Sequence, residues 1–207
     1  MTPPKKITPK APGKPAGRKS SSTPDITRYS WQKRRDYLMM IALVAASDHQ
    51  LQPEEMNMLA RLMKDFRLSP RVRNMVLQAA QTPHADIEPL ERKLAGSDLA
   101  YSLLLDMMSM AMADGVLMDE ERFLMHEVAS SLEIGLVERT ILMDFIHAAC
   151  QASGQSNPEP LYEHSIETAF ELMKKKDIAL FPHTLLCPAS ESYDKMLKDR
   201  WFSQRAS

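Results

Sequence analysis

Cysteine and glycine are scarce in this chain: two and six in 207 residues. Two cysteines cannot frame a disulfide-dense secreted scaffold. No stretch of about 18 apolar residues occurs, so no transmembrane helix is expected. The N-terminus lacks the apolar core of a secretory signal, which makes the cytoplasm the expected compartment. Alternating polar and apolar runs are few, so no sheet is expected. There is no glycine-rich phosphate loop, no Gly-x-Ser-x-Gly elbow and no His-Glu-x-x-His, so catalysis is not expected. The length suits one helical domain with an additional tail, or two small domains.

What is present is unevenly placed. The net charge of −1 hides an asymmetry. Residues 1–35 carry ten Lys/Arg and one acid, Asp25, for a charge of +9; residues 36–207 carry 16 basic and 26 acidic residues, for −10. Residues 1–28 are rich in Pro, Lys and Gly and nearly free of large apolar side chains. Such a segment buries too little surface to offset its ordering entropy and is expected to be a disordered basic arm. Residues 1–35 suit an anionic membrane surface or nucleic acid, each basic residue adding about 1 kcal/mol near anionic lipid. They equally suit a solubilising tail or a counter-charge for the acidic body. Tyr29, Trp31 and Tyr37 flank Lys33-Arg34-Arg35 and are expected to pack the first helix onto the body.

From Trp31 onward the apolar spacing becomes helical. Tyr37, Leu38, Ile41, Val44 and Ala45 share one face, and the helix is expected to end near Ser47-Asp48-His49. A second helix begins at Pro53 with Glu54 and Glu55 in its first turn. The same phrase returns 66 residues later: an apolar helix over Leu104 to Ala113, then Asp114-Gly115, then Asp119-Glu120-Glu121 opening another helix. In this register Asp48 matches Asp114, Glu54 matches Glu120, Glu55 matches Glu121, Phe66 matches Leu132 and Leu68 matches Ile134. An internal repeat with a pseudo-two-fold is expected. Further helices are expected from Ser69 to Ala80, His84 to Leu94, Leu136 to Ala152, Leu161 to Lys176 and Ser190 to Phe202. The fold class is therefore all-α, a bundle of seven or eight helices, with an arm over 1–28, a domain over 29–153 and a helical extension over 154–207 packed on it.

The stretch Ala113-Asp114-Gly115-Val116-Leu117-Met118-Asp119-Glu120-Glu121 resembles the TerB-like family, which is associated with bacterial tellurite resistance and related stress systems. The resemblance covers about residues 36–153. The first copy departs from the family pattern, with His49 in place of Gly, and both copies lack the usual Ser/Thr cap, having Gln52 and Met118. The resemblance implies two pseudo-symmetric helical halves and an acidic module that binds a divalent cation. The matching residues are Asp48, Glu55, Asp114 and Glu121, with Glu54 and Glu120 beside them. The chemistry agrees: Ca²⁺ or Mg²⁺ takes several oxygen ligands, and a cation relieves repulsion among clustered carboxylates. A plain alternative explains the same residues, because the helix dipole alone favours Glu in a first turn and Asp before Gly is an ordinary helix-ending residue. An EF-hand is excluded, since Gly115 follows Asp114 directly.

Other constellations carry less. His147, Cys150, His183 and Cys187 lack the usual zinc spacings and read as buried or incidental side chains. The methionines around the repeated helices read as an adaptable core, the alternative being a groove for a partner helix. Met107, Met108, Met110 and Met112 cannot all face one way, so some are expected at the surface. The expected function is a non-enzymatic, cation-responsive interaction module with protein partners and no small-molecule substrate. It would act in a bacterial stress-response or membrane-associated assembly, in the cytoplasm or at the inner face of the membrane. The alternative is a scaffold or targeting protein whose arm binds an anionic surface while the body docks a protein, with no metal site.

Overall fold

The computed structural model describes residues 25–46, 51, 53–82, 86–112, 119–153, 159–178, 180–183 and 191–206. These contain nine α-helices and no strand: α1 (Trp31–Ala45), α2 (Pro53–Asp65), α3 (Pro70–Ala79), α4 (Glu88–Leu94), α5 (Ala100–Ala111), α6 (Asp119–Ser131), α7 (Leu136–Ser153), α8 (Pro160–Lys175) and α9 (Glu191–Ala206). The all-α expectation holds. The ordered body reaches further back than expected: Asp25 caps a 3-10 turn over Ile26–Arg28, and Ile26 is buried in the core. Residues 25–28 therefore belong to the body, and residues 1–24 lie outside the described residues. Ser30 caps α1 by accepting from the Lys33 N–H at 3.3 Å, and proline opens α2, α3 and α8, where its missing N–H costs no helical bond.

The 66-residue register is built into the elements. Shifted by 66, α2 coincides with α6 at both ends, the end of α1 falls on the end of α5, and the start of α3 falls on the start of α7. The helix ends agree in conformation. Arg67 and Glu133 both adopt left-handed backbone, with φ of 49° and 63°. The next residue in each half, Leu68 or Ile134, donates its N–H back to Met63 O or Ala129 O, closing the same C-terminal motif. Buried positions pair likewise: Tyr37 with Leu103, Leu59 with Met125, Phe66 with Leu132, Val76 with Leu142. Similar side-chain chemistry at fixed spacing thus produces two like helical hairpins.

The core sits around α5, which is buried from Ser102 to Met110. This corrects the expectation for the methionines. Met107, Met108 and Met110 are each only 2% exposed, because other elements cover every face of the helix, and Met112 is half-buried. The Met-lined surface groove is therefore not formed there. α5 also begins earlier than expected, at Ala100, because its polar residues are satisfied inside the protein. Ser102 Oγ donates to Leu180 O at 2.7 Å, and Ser109 Oγ donates to Leu105 O at 2.8 Å.

Beyond the repeat, α8 packs along α7 and α9 returns over it, with Phe145, Phe170, Phe181 and Trp201 forming a chain of tilted ring contacts 5.5–6.5 Å apart. Between α8 and α9 a strap, residues 178 and 180–183, lies on the body with Ile178, Leu180 and Phe181 buried. No helix among the described residues is long and apolar enough to cross a membrane.

Candidate functional site

A groove of about 590 Å³ opens where the start of α1 meets the α2–α3 turn and the first turns of α3. Its apolar lining is Trp31, Leu68, Val72 and Met75, of which Leu68 and Val72 are buried. Its rim carries Arg35, Arg67 and Arg71, and none of its described lining residues is a carboxylate. Local chemistry fixes the rim. The left-handed helix end turns Arg67 outward. Arg34 Nη1 donates to Phe66 O at 2.5 Å and Arg73 Nε to Leu68 O at 2.8 Å, so two arginines hold the turn from either side. Arg35 lies 5.5 Å from the Trp31 ring centre and donates from Nε to Asp36 Oδ1 at 2.8 Å. Arg67 and Arg71 are exposed and have no ion-pair partner among the described residues. The Asp25 carboxyl is held below its ordinary value by hydrogen bonds from Thr27, with a smaller contribution from Arg67. Trp31 stays 48% exposed at the mouth, which corrects the expectation that it packs α1 onto the body; Tyr37 does so, and Tyr29 partly.

The second half occupies the equivalent place differently. Sixty-six residues beyond Arg35, Arg67 and Val72 stand Tyr101, Glu133 and Glu138. Lys176, which ends α8, ion-pairs with Glu138 and lies 5.7 Å from the Tyr101 ring centre, while the Tyr101 hydroxyl also donates to Glu138. Burial works against ionisation of Glu138, but Lys176, Tyr101 and the Gly135 N–H together hold its carboxyl below the ordinary value. So the end of α8 bridges part of the surface in the second half that stays open in the first, while Val137 remains 72% exposed.

A second polar cluster is structural. Asp106, on α5, is fully buried. It accepts from the Tyr37 hydroxyl at 2.6 Å and from the His183 main-chain N–H at 2.6 Å, and its Oδ2 lies 3.3 Å from His183 Nδ1. Burial, and then the Asp106 carboxyl, push the Tyr37 hydroxyl well above its usual pKa. The His183 ring packs edge-on to Phe66 at 4.9 Å. The cluster ties the strap to α1 and α5. It also places His183, weighed above as a zinc ligand, against a carboxyl.

The acidic residues singled out in the sequence fall mostly elsewhere. Asp48 and Asp114 lie outside the described residues. Glu54, Glu120 and Glu121 sit in the first turns of α2 and α6, with side chains outside the described set. Glu55 is half-buried in the first turn of α2 and has an interaction of its own. No group of three or more His, Cys, Asp or Glu able to hold a metal occurs among the described residues. Sequence reasoning passed over Arg67 and Arg71. The signal was available in the register itself, which sets Arg67 against Glu133 and Arg71 against Val137.

Comparison with known proteins gives no match among curated proteins or solved structures. The family model described as tellurite resistance protein TerB matches residues 34–143, more than half of the chain. That span runs from the start of α1 into α7 and contains both copies of the repeated hairpin. With its motif, its doubled helical unit and this match in agreement, the chain belongs to the TerB family.

Proposed function

We propose that this protein is a non-enzymatic interaction module. Its TerB-family body docks a protein through the groove between α1 and α3, and its basic residues 1–35 draw it to an anionic surface, within a bacterial stress-response or membrane-associated assembly. The observation that supports this is the groove: apolar side chains ringed by arginines, on a surface whose counterpart in the second half is partly crossed by Lys176. Apolar area left open and ringed by charge is the pattern of a recognition site. The buried Asp106–His183 pair does not argue for catalysis, since Asp106 is fully buried and holds main chain.

The test is a photo-cross-linking side chain placed at Met75 in the full chain, in cells, compared with the same group at exposed Thr140 on α7. The docking role predicts a discrete protein adduct from position 75 alone. Adducts from both positions, or from neither, would refute it. Removing residues 1–24 should leave that adduct intact and abolish association with the anionic surface.

A cation-responsive role for the acidic phrases is a second reading, favoured by one observation. The two phrases open α2 and α6, helices whose starts stand in the same register. Calorimetric titration with Ca²⁺ and Mg²⁺ should show saturable binding that Asp114→Ala removes. Absence of binding would leave these carboxylates as helix-end chemistry.

A further inference from the structure

We infer that the groove seats an acidic amphipathic helix of a partner protein. This rests on the docking role proposed above and adds the chemistry of the occupant. The repeat carries the first part of the argument. In the second half, the end of a helix crosses part of the equivalent surface: Lys176, just past α8, reaches Glu138 and lies over Tyr101, while Val137 beside them stays 72% exposed. In the first half Val72 and Arg35 hold those places, and among the described residues no helix lies along α3 as α8 lies along α7. The fold presents this surface twice and packs a helix beside only one copy.

Charge carries the second part. The helix crossing the second half brings an ammonium group to a carboxylate. In the first half uncharged Val72 stands at the Glu138 position, and the charge comes from Arg67 and Arg71, where Glu133 and Val137 stand in the second half; both arginines lack ion-pair partners among the described residues. A helix docking here must bring carboxylates to guanidinium groups, whose planar donors match carboxylate geometry. Apolar residues three and four positions apart on that helix meet Leu68, Val72 and Met75. The protein's own residues 1–24 do not fit, since they carry six Lys/Arg and no acid.

The full chain is titrated with a synthetic helix of about 18 residues, long enough to be helical in water. It carries Leu on one stripe and Glu on the other faces; a counterpart replaces every Glu with Lys. Trp31 is half-exposed at the groove and Trp201 is buried, so a shift in tryptophan emission that Trp31→Phe removes reports seating in the groove. The expected result is a saturable blue shift with the Glu helix, none with the Lys helix, and about tenfold weaker binding in Arg67→Gln/Arg71→Gln. Equal response to both helices, or binding unchanged in the double variant, overturns the inference. So does a response only to vesicles containing phosphatidylglycerol, which would make this a membrane face. If the Glu helix fails while cross-linking from position 75 persists, the occupant's chemistry is wrong and the docking role survives; loss of both refutes both.

Discussion

At the scale of single residues, the buried carboxyl of Asp106 has the largest predicted effect. It satisfies the Tyr37 hydroxyl, which is fully buried, and the His183 N–H, which is partly buried. Asp106→Ala strands both, and each stranded buried donor costs about 1–3 kcal/mol. A loss of about 3 kcal/mol in urea unfolding is expected for that variant. Tyr37→Phe removes a single bond to the carboxyl and is expected to lose about 1.5 kcal/mol. Equal losses from the two variants would show that Asp106 does not tie the strap. Glu138 gives a prediction in pH. Its carboxyl is held lower in the folded protein than its ordinary value of 4.5, so its contribution is fully present above that value and is lost as pH falls through the folded value. Melting temperature should therefore fall on acidification below about 4.5, and Glu138→Gln should flatten part of that fall while lowering stability at neutral pH.

At the scale of elements, the helix ends invite a test. Arg67 and Glu133 occupy left-handed backbone where a side chain is strained and glycine is not. Arg67→Gly and Glu133→Gly are each expected to raise stability by about 0.5–1 kcal/mol in thermal unfolding. A loss in both would mean that their side chains matter more than their backbone. The same elements show what could be read in advance. Pro53, Asp119 and Leu136 were visible as helix starts because proline, acidic first turns and apolar periodicity are local signals. The start of α5 was hidden by Ser102, which looks like a surface residue but finds its partner in the strap. The groove was hidden for another reason. Its lining is ordinary in composition, and its openness depends on a helix that packs beside one half and not the other, which is a tertiary fact.

At the scale of the whole molecule, the charge asymmetry and the repeat act together. The basic residues 1–35 lead directly into α1, whose first turns form one wall of the groove, so the positive end of the chain and the docking surface adjoin. The acidic body keeps most of its carboxylates away from that groove. Such separation steers an anionic partner to one side of the molecule and makes association sensitive to salt.

From Ser102 to Met110 α5 has no face toward solvent. Its amide hydrogens can exchange with deuterium only when the structure around them opens, and no local fraying reaches its centre. The amides of Leu103 to Met108 are therefore expected to exchange together, at the free energy of global unfolding, while those of α3, which packs mainly on α1, exchange through smaller openings. The docking surface then rests on the part of the fold that breathes, and α5 is the part that does not.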